Sequence, residues 1–182
     1  MSGFTGLSET IGPDHVRELL DGFYRLVDEE ATASGGAITS FAGDGAMLLF
    51  GLPEPSAADA ANAAYCCVRL VKRTRLWLPT LPPSISTRIG FKLGAHCGPV
   101  VASRLGGERN QLITATGDTV NIANRLMEVA ADRGADLAVS KTLIDAAGPE
   151  SALLNEGVLS GQIETELRGR TRPLTVRVWW DS

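Results

Sequence analysis

The order of its hydrophobic periodicities constrains this chain most: a long helical pattern, a short hairpin, a second long helical pattern, then strands. From Pro13 the apolar positions Val16, Leu19, Leu20, Phe23, Leu26 and Val27 recur at spacings of three and four, the period of a helix with one buried face. Proline suits a first helical turn, where its missing N–H has no helical acceptor, and the pattern stops near Ser34-Gly35-Gly36. Two apolar runs, Ala37 to Phe41 and Met47 to Phe50, flank Gly43-Asp44-Gly45 and predict a β-hairpin with a carboxylate at its tip. Pro53 and Pro55 break the chain, Ser56 can cap, and Ala57 to about Leu76 reads as a helix with Ala60, Ala64, Cys67, Val68 and Val71 on its packed side.

The rest alternates in the same way. Trp77 to Ser84, with three prolines, predicts a loop. Ile85 to Cys97, Val100 to Leu105 and Leu112 to Thr116 suit strands, punctuated by Gly98-Pro99 and Gly106-Gly107. A helix opens at Gly117 with Asp118 or Thr119 as N-cap; Leu137 to Val139 suits a strand, and Ser140 caps a helix to about Ala147. Leu167 and Leu174 to Trp180 suit a closing pair of strands around Gly169. Such an order gives an α+β sheet with helices packed on one face.

Composition narrows the function classes. With 182 residues, 44% of them hydrophobic, the chain suits one domain over 1–182. Seventeen Lys and Arg against 21 Asp and Glu, scattered except around Arg168, Arg170 and Arg172, leave no basic stripe for nucleic acid. No apolar run approaches the roughly 20 residues of a membrane span, and no secretory pattern opens the chain. Cys66, Cys67 and Cys97 lack metal-ligand spacing and read as reduced thiols, which suits a cytoplasmic protein.

Chemistry concentrates in Gly117-Asp118-Thr119-Val120-Asn121-Ile122-Ala123-Asn124-Arg125. Asn121 and Arg125 are four apart, so an amide and a guanidinium stack one helical turn above the other and together suit an anionic ligand. The stretch resembles the active-site segment of the class III nucleotidyl cyclases, G-[DN]-x-V-N-x-A-x-R. Three further segments match that family in order. Gly3-Phe4-Thr5 with Leu7 is similar to the second half of its opening D-x-x-G-F-T-x-L, Gly43-Asp44 to its metal-binding G-D, and Arg168-Gly169-Arg170 beside Pro173 to its terminal L-[KR]-G-x-x-x-P. Phe50-Gly51 with Pro53, and Gly94-Ala95-His96-Cys97-Gly98, follow the family as well.

The resemblance implies the ferredoxin-like βαββαβ sheet of that family, with the first strand largely missing. It also implies conversion of ATP to 3′,5′-cyclic AMP and pyrophosphate, with two Mg²⁺ or Mn²⁺ ions per site, in intracellular signalling. Asn121 would orient the ribose, Arg125 would steady charge at the α-phosphate, and Asp44 would bind metal. Gly3, Phe4, Thr5 and Arg170 would receive the triphosphate. The family reads the base four residues before the aspartate and seven before the asparagine, which are Ser40 and Thr114 here. Thr114 leans towards adenine; Ser40 offers neither the lysine of adenylate cyclases nor the glutamate of guanylate cyclases, so GTP stays open. The family's first metal aspartate would fall one place before Met1, which implies an N-terminally truncated domain and weak or absent turnover by this chain alone. Because family sites are shared between protomers, a homodimer is expected, and a non-catalytic nucleotide-binding or dimerisation module is the alternative. His96, alone in a strand, reads as structural.

Overall fold

The structure is a computed structural model that describes residues 1–105, 112–166 and 173–181. Its elements are α1 (Phe4–Ser8), α2 (Pro13–Ala33), β1 (Ala37–Ala42), β2 (Gly45–Leu49), α3 (Asp59–Trp77), a 3₁₀ turn (Leu78–Thr80), α4 (Pro83–Ser86), β3 (Leu93–Ala95), β4 (Val101–Leu105) and β5 (Leu112–Thr116), followed by α5 (Asp118–Asp132), β6 (Leu137–Ser140), α6 (Lys141–Ala147), α7 (Ala152–Asn155), β7 (Gly157–Leu159), β8 (Ile163–Thr165) and β9 (Leu174–Asp181). Among the described residues no helix is long and apolar enough to cross a membrane.

The helix–hairpin–helix order expected from periodicity is present. Phe23, Leu26 and Val27 are buried on one side of α2 and pack with Cys66 and Leu70 of α3 above the hairpin residues Ile38, Ala46 and Leu48, while Leu19 joins Leu7, Ile85 and Ile89. Between the two helices, Glu30 is only 2% exposed and accepts from Arg69 Nε at 3.2 Å and Arg73 Nη1 at 2.7 Å, so its buried charge is paired. Burial also pushes the Cys66 thiol from its ordinary 9.0 up to about 11 and raises that of Cys67.

One sheet runs β3-β6-β9-β7, with β3 parallel to β6, β9 antiparallel to β6, and β7 and β8 both pairing with β9. Neighbouring residues of a strand face opposite sides. Leu137 and Val139 of β6 therefore join Val68 and Val71 of α3 and Leu143 of α6, while Ala138 joins Ile122, Leu126 and Ala130 of α5. The helices of the βαββαβ unit, α2 and α3, share one face; α5, beyond that unit, covers the other. β1-β2 and β4-β5 form two separate hairpins, and β1 lies against β5.

Three local expectations change, and a fourth is tested only in part. Ile85 to Cys97 is strand only over Leu93–Ala95, because Pro82 and Pro83 start a helical turn and Ile85 and Ile89 bury against Leu7 and Leu19. The loop after α3 contains the 3₁₀ turn. Gly117, not Asp118 or Thr119, occupies the N-cap of α5, and the Thr119 hydroxyl donates to the Pro99 carbonyl instead, at 2.6 Å. β9 pairs with β6, β7 and β8; Leu167 lies outside the described residues. Ahead of α1, extended pairing among the described residues is the single bridge Ser2–Gly90. Ser140 caps α6 as expected, accepting from the Leu143 amide at 3.2 Å.

Candidate active site

α5 owes its position to a contact that only glycine permits. A Cβ on Gly94 of β3 would collide with the Ala123 carbonyl oxygen and lie 2.5 Å from the Met127 amide nitrogen, so the helix rests directly on the strand. With Ile122, Leu126 and Ala130 committed to the core, Asn121 and Arg125 are left on the outer side, one turn apart. They line an open depression of about 460 Å³ together with Asn124, Glu128, Asp132 and Thr165. Among the described residues neither Asn121 nor Arg125 has a hydrogen-bond or ion-pair partner. The carboxylates of Glu128 and Asp132 stand further along the helix, so the depression is cationic at the end nearer the helix start and anionic at the other. An anion is favoured at the first end by the Arg125 guanidinium.

A second group of expected residues gathers elsewhere. Ala42 pairs with Gly45, leaving Gly43 and Asp44 as a two-residue turn in which Gly43 takes a positive φ of 57°. Glycine at the first turn position is what a type II′ hairpin requires. The Asp44 carboxylate is 37% exposed, and the Met1 ammonium lies 3.0 Å from its Oδ2 and donates to its carbonyl at 2.5 Å. Gly3, Phe4 and Thr5 follow at the start of α1. Gly3 adopts the left-handed region (φ 78°) over the Arg88 carbonyl, and the Arg88 guanidinium donates to the Gly6 carbonyl at 2.9 Å and to Thr10 Oγ1 at 2.6 Å. Phe4 is half-buried against the Leu7 cluster.

Ser40 is exposed on β1, just after a bulge at Thr39, and Thr114 is half-buried on β5 opposite Ser103. Because β1 lies against β5, the two positions expected to read the base sit on neighbouring strands. Arg170 lies outside the described residues. His96 meets Ser140 Oγ at 2.8 Å from its Nδ1 and Thr142 Oγ1 at 3.3 Å, and its Nε2 side faces Gly98, close to Thr119 at the start of α5. Tyr24, which sequence reasoning passed over, donates its hydroxyl to the Gly43 carbonyl. Its signal, an aromatic beside Phe23 in α2, is indistinguishable from a core residue.

The two groups do not meet within one copy. No residue of α1 or of the β1-β2 hairpin lines the Asn121/Arg125 depression, and α5 packs on β3, β5 and β6. As for metal, no three His, Cys, Asp or Glu side chains converge among the described residues. A single partly exposed carboxylate fits Mg²⁺ or Mn²⁺ arriving on a substrate's phosphates, and does not fit a resident all-protein metal cage.

The α+β scaffold thus presents an amide and a guanidinium on one helix, unpartnered among the described residues, and a carboxylate on a hairpin tip. The sequence model of the adenylate and guanylate cyclase catalytic domain matches residues 1–176, and the chain belongs to that family. It is 28% identical over 141 residues to adenylate cyclase 1 of Rhizobium meliloti, covering 78% of this chain and 21% of that protein. It spans 21% to 26% of the length of the curated relatives it first matches. Its fold superimposes on the adenylyl cyclase CyaB from P. aeruginosa with a TM-score of 0.82 at 22% identity, covering 100% of this chain and 90% of that one. It superimposes on the guanylyl cyclase Cya2 with a TM-score of 0.79 at 24% identity, covering 100% and 89%.

Proposed function

We propose that this domain is an adenylate cyclase that forms cyclic AMP from ATP at sites shared between two copies of itself, in the cytoplasm. The observation that carries the reading is the pair Asn121 and Arg125, stacked on the outer side of α5 and unpartnered among the described residues. Arg125 stabilises the charge that grows on the α-phosphate as the 3′-hydroxyl attacks it and pyrophosphate leaves; Asn121 holds the ribose so that the attack is in line. Asp44 of the other copy would hold a divalent cation, which would supply electrophilic charge to the reaction when bound. Gly3, Phe4, Thr5 and Arg170 receive the triphosphate, and Ser40 and Thr114 face the base.

The separation of the two groups supports a homodimer. Each copy carries both groups but keeps them apart, so two copies related by a twofold axis complete two sites. ATP is preferred over GTP on the strength of Thr114, while the hydroxyl of Ser40 discriminates weakly, so the preference is modest.

Incubating the purified protein with ATP or GTP and either Mg²⁺ or Mn²⁺, and separating products by chromatography, tests the reading. Cyclic AMP as the main product, from protein that elutes as a dimer, is expected. A second reading, nucleotide binding without turnover, is favoured by the absence, among the described residues, of a cluster of three metal-ligating side chains that includes Asp44. Calorimetric nucleotide binding with no cyclic product under either metal would establish it.

A further inference from the structure

The hairpin tip is a poor place to hold a carboxylate still. It is a two-residue turn at the protein surface, with Gly43 in a conformation of little steric restraint and Asp44 partly exposed. The hairpin ladder ends at the Ala42–Gly45 pair, so the Gly43 carbonyl lies beyond it. That carbonyl accepts a hydrogen bond from the hydroxyl of Tyr24, nineteen residues earlier on α2.

Tyr24 is itself fixed. Its neighbours on α2, Phe23, Leu26 and Val27, are buried beneath the hairpin, and its ring lies 4.2 Å from that of Phe41 and 5.8 Å from that of Phe23, centroid to centroid. The side chain therefore holds the hairpin in two places: by ring contact on β1 and by its hydroxyl at the tip. The Gly43 carbonyl and the Asp44 N–H belong to one planar peptide unit. Fixing the direction of that carbonyl fixes the plane from which the Asp44 Cα and its carboxylate project.

We propose that Tyr24 is a positioning residue for Asp44: its hydroxyl, by holding the Gly43 carbonyl, sets the direction in which the Asp44 carboxylate meets a divalent cation. The proposal rests on the reading of Asp44 as the metal-binding carboxylate. The hydroxyl, rather than the ring, carries the effect. Phenylalanine at this position keeps the contact with Phe41 and gives the exposed carbonyl to water, so the fold persists while the tip turns more freely.

Tyr24→Phe separates these roles. Hydrogen exchange of the metal-free protein reads the tip directly: amides within residues 41–47 are expected to exchange about fivefold faster in the variant, and those of α5 unchanged. Mn²⁺ binding in the presence of inorganic pyrophosphate, followed by the electron paramagnetic resonance of free Mn²⁺, is expected to weaken about tenfold. The melting temperature should stay within about 3 °C, as for an exposed hydrogen bond. In turnover, the Mn²⁺ concentration for half-maximal rate rises while KM for the nucleotide at saturating Mn²⁺ does not. Asp44→Asn and Phe41→Leu complete the set, the first expected to abolish the specific Mn²⁺ binding and the second to leave it intact. Asp44-dependent binding that Tyr24→Phe leaves unchanged contradicts the role of Tyr24 alone. Binding that Asp44→Asn leaves unchanged, or no binding by the unmodified protein, contradicts the metal role of Asp44 and the proposal with it.

Discussion

The α5 face and the β1-β2 tip carry the two groups of candidate site residues, yet they are built on opposite principles. Asn121 and Arg125 ride on a helix whose other side is sunk into the sheet through Ile122, Leu126 and Ala130, with backbone against backbone at Gly94. Asp44 stands on a surface turn held by single directional contacts from Tyr24 and Met1. Close packing fixes the first group whether or not ligand is present. The second is fixed only as well as its hydrogen bonds, which leaves it open to adjustment by a cation. Under the proposed function, a preformed half for the reacting phosphate and an adjustable half for the metal would suit a site assembled when two copies and a metal-bound nucleotide come together.

Substitutions on α5 test the preformed half most severely. Arg125→Ala should lower kcat by roughly 100- to 1,000-fold, the usual effect of deleting one donor to developing charge. Its melting temperature should scarcely move, because the guanidinium has no partner among the described residues. A matching loss of stability would show instead that Arg125 is structural. Gly94→Ala comes next. The added Cβ strikes the Ala123 carbonyl and must lift α5, at a cost of about 3 kcal/mol, and turnover should fall with it even though residue 94 touches no substrate. Denaturant unfolding that matches the unmodified protein would mean that α5 is less firmly seated than the hairpin.

The smallest effect concerns the core beneath the hairpin, where Cys66 packs with Phe23, Leu26 and Leu70. Below pH 9 its thiol is neutral folded and unfolded alike, so it adds no pH dependence. Its folded value is raised from 9.0 to about 11, so between those values the unfolded chain loses its proton first and stability falls as pH rises. The loss between pH 8 and pH 10 should be about 1 kcal/mol larger in the unmodified protein than in Cys66→Ala, measured by denaturant unfolding. Equal losses would indicate that this core admits water.

Much of the scaffold was legible in the chain because its signals are local. The three-four spacing of α2, the Gly43-Asp44 turn, the glycine entry to α5 and the Ser140 cap each depend on residues within a turn or two of one another. The Asn121–Arg125 spacing is of the same kind, and so the helix face was readable. What escaped depends on distant partners. Ile85 and Ile89 read as strand residues because nothing in their own segment reveals that Leu7 and Leu19 await them. Gly94 declares a close approach without naming Ala123, and Tyr24 looks like one more core aromatic until the tip folds against it. The separation of Asp44 from Arg125 in one copy was expected only by resemblance, since spacing along a chain does not tell which surfaces will face apart.

The central claim is that Asp44 of one copy and Arg125 of another complete a single site. Mixing Asp44→Asn with Arg125→Ala, after dissociation and reassembly, and measuring cyclic nucleotide formed with Mn²⁺ tests it most directly. Each variant alone should be nearly inactive. Random pairing makes half the dimers mixed, and each mixed dimer holds one intact site of two, so the mixture should recover about a quarter of the unmodified activity. A mixture no more active than the two variants measured separately would contradict the shared site.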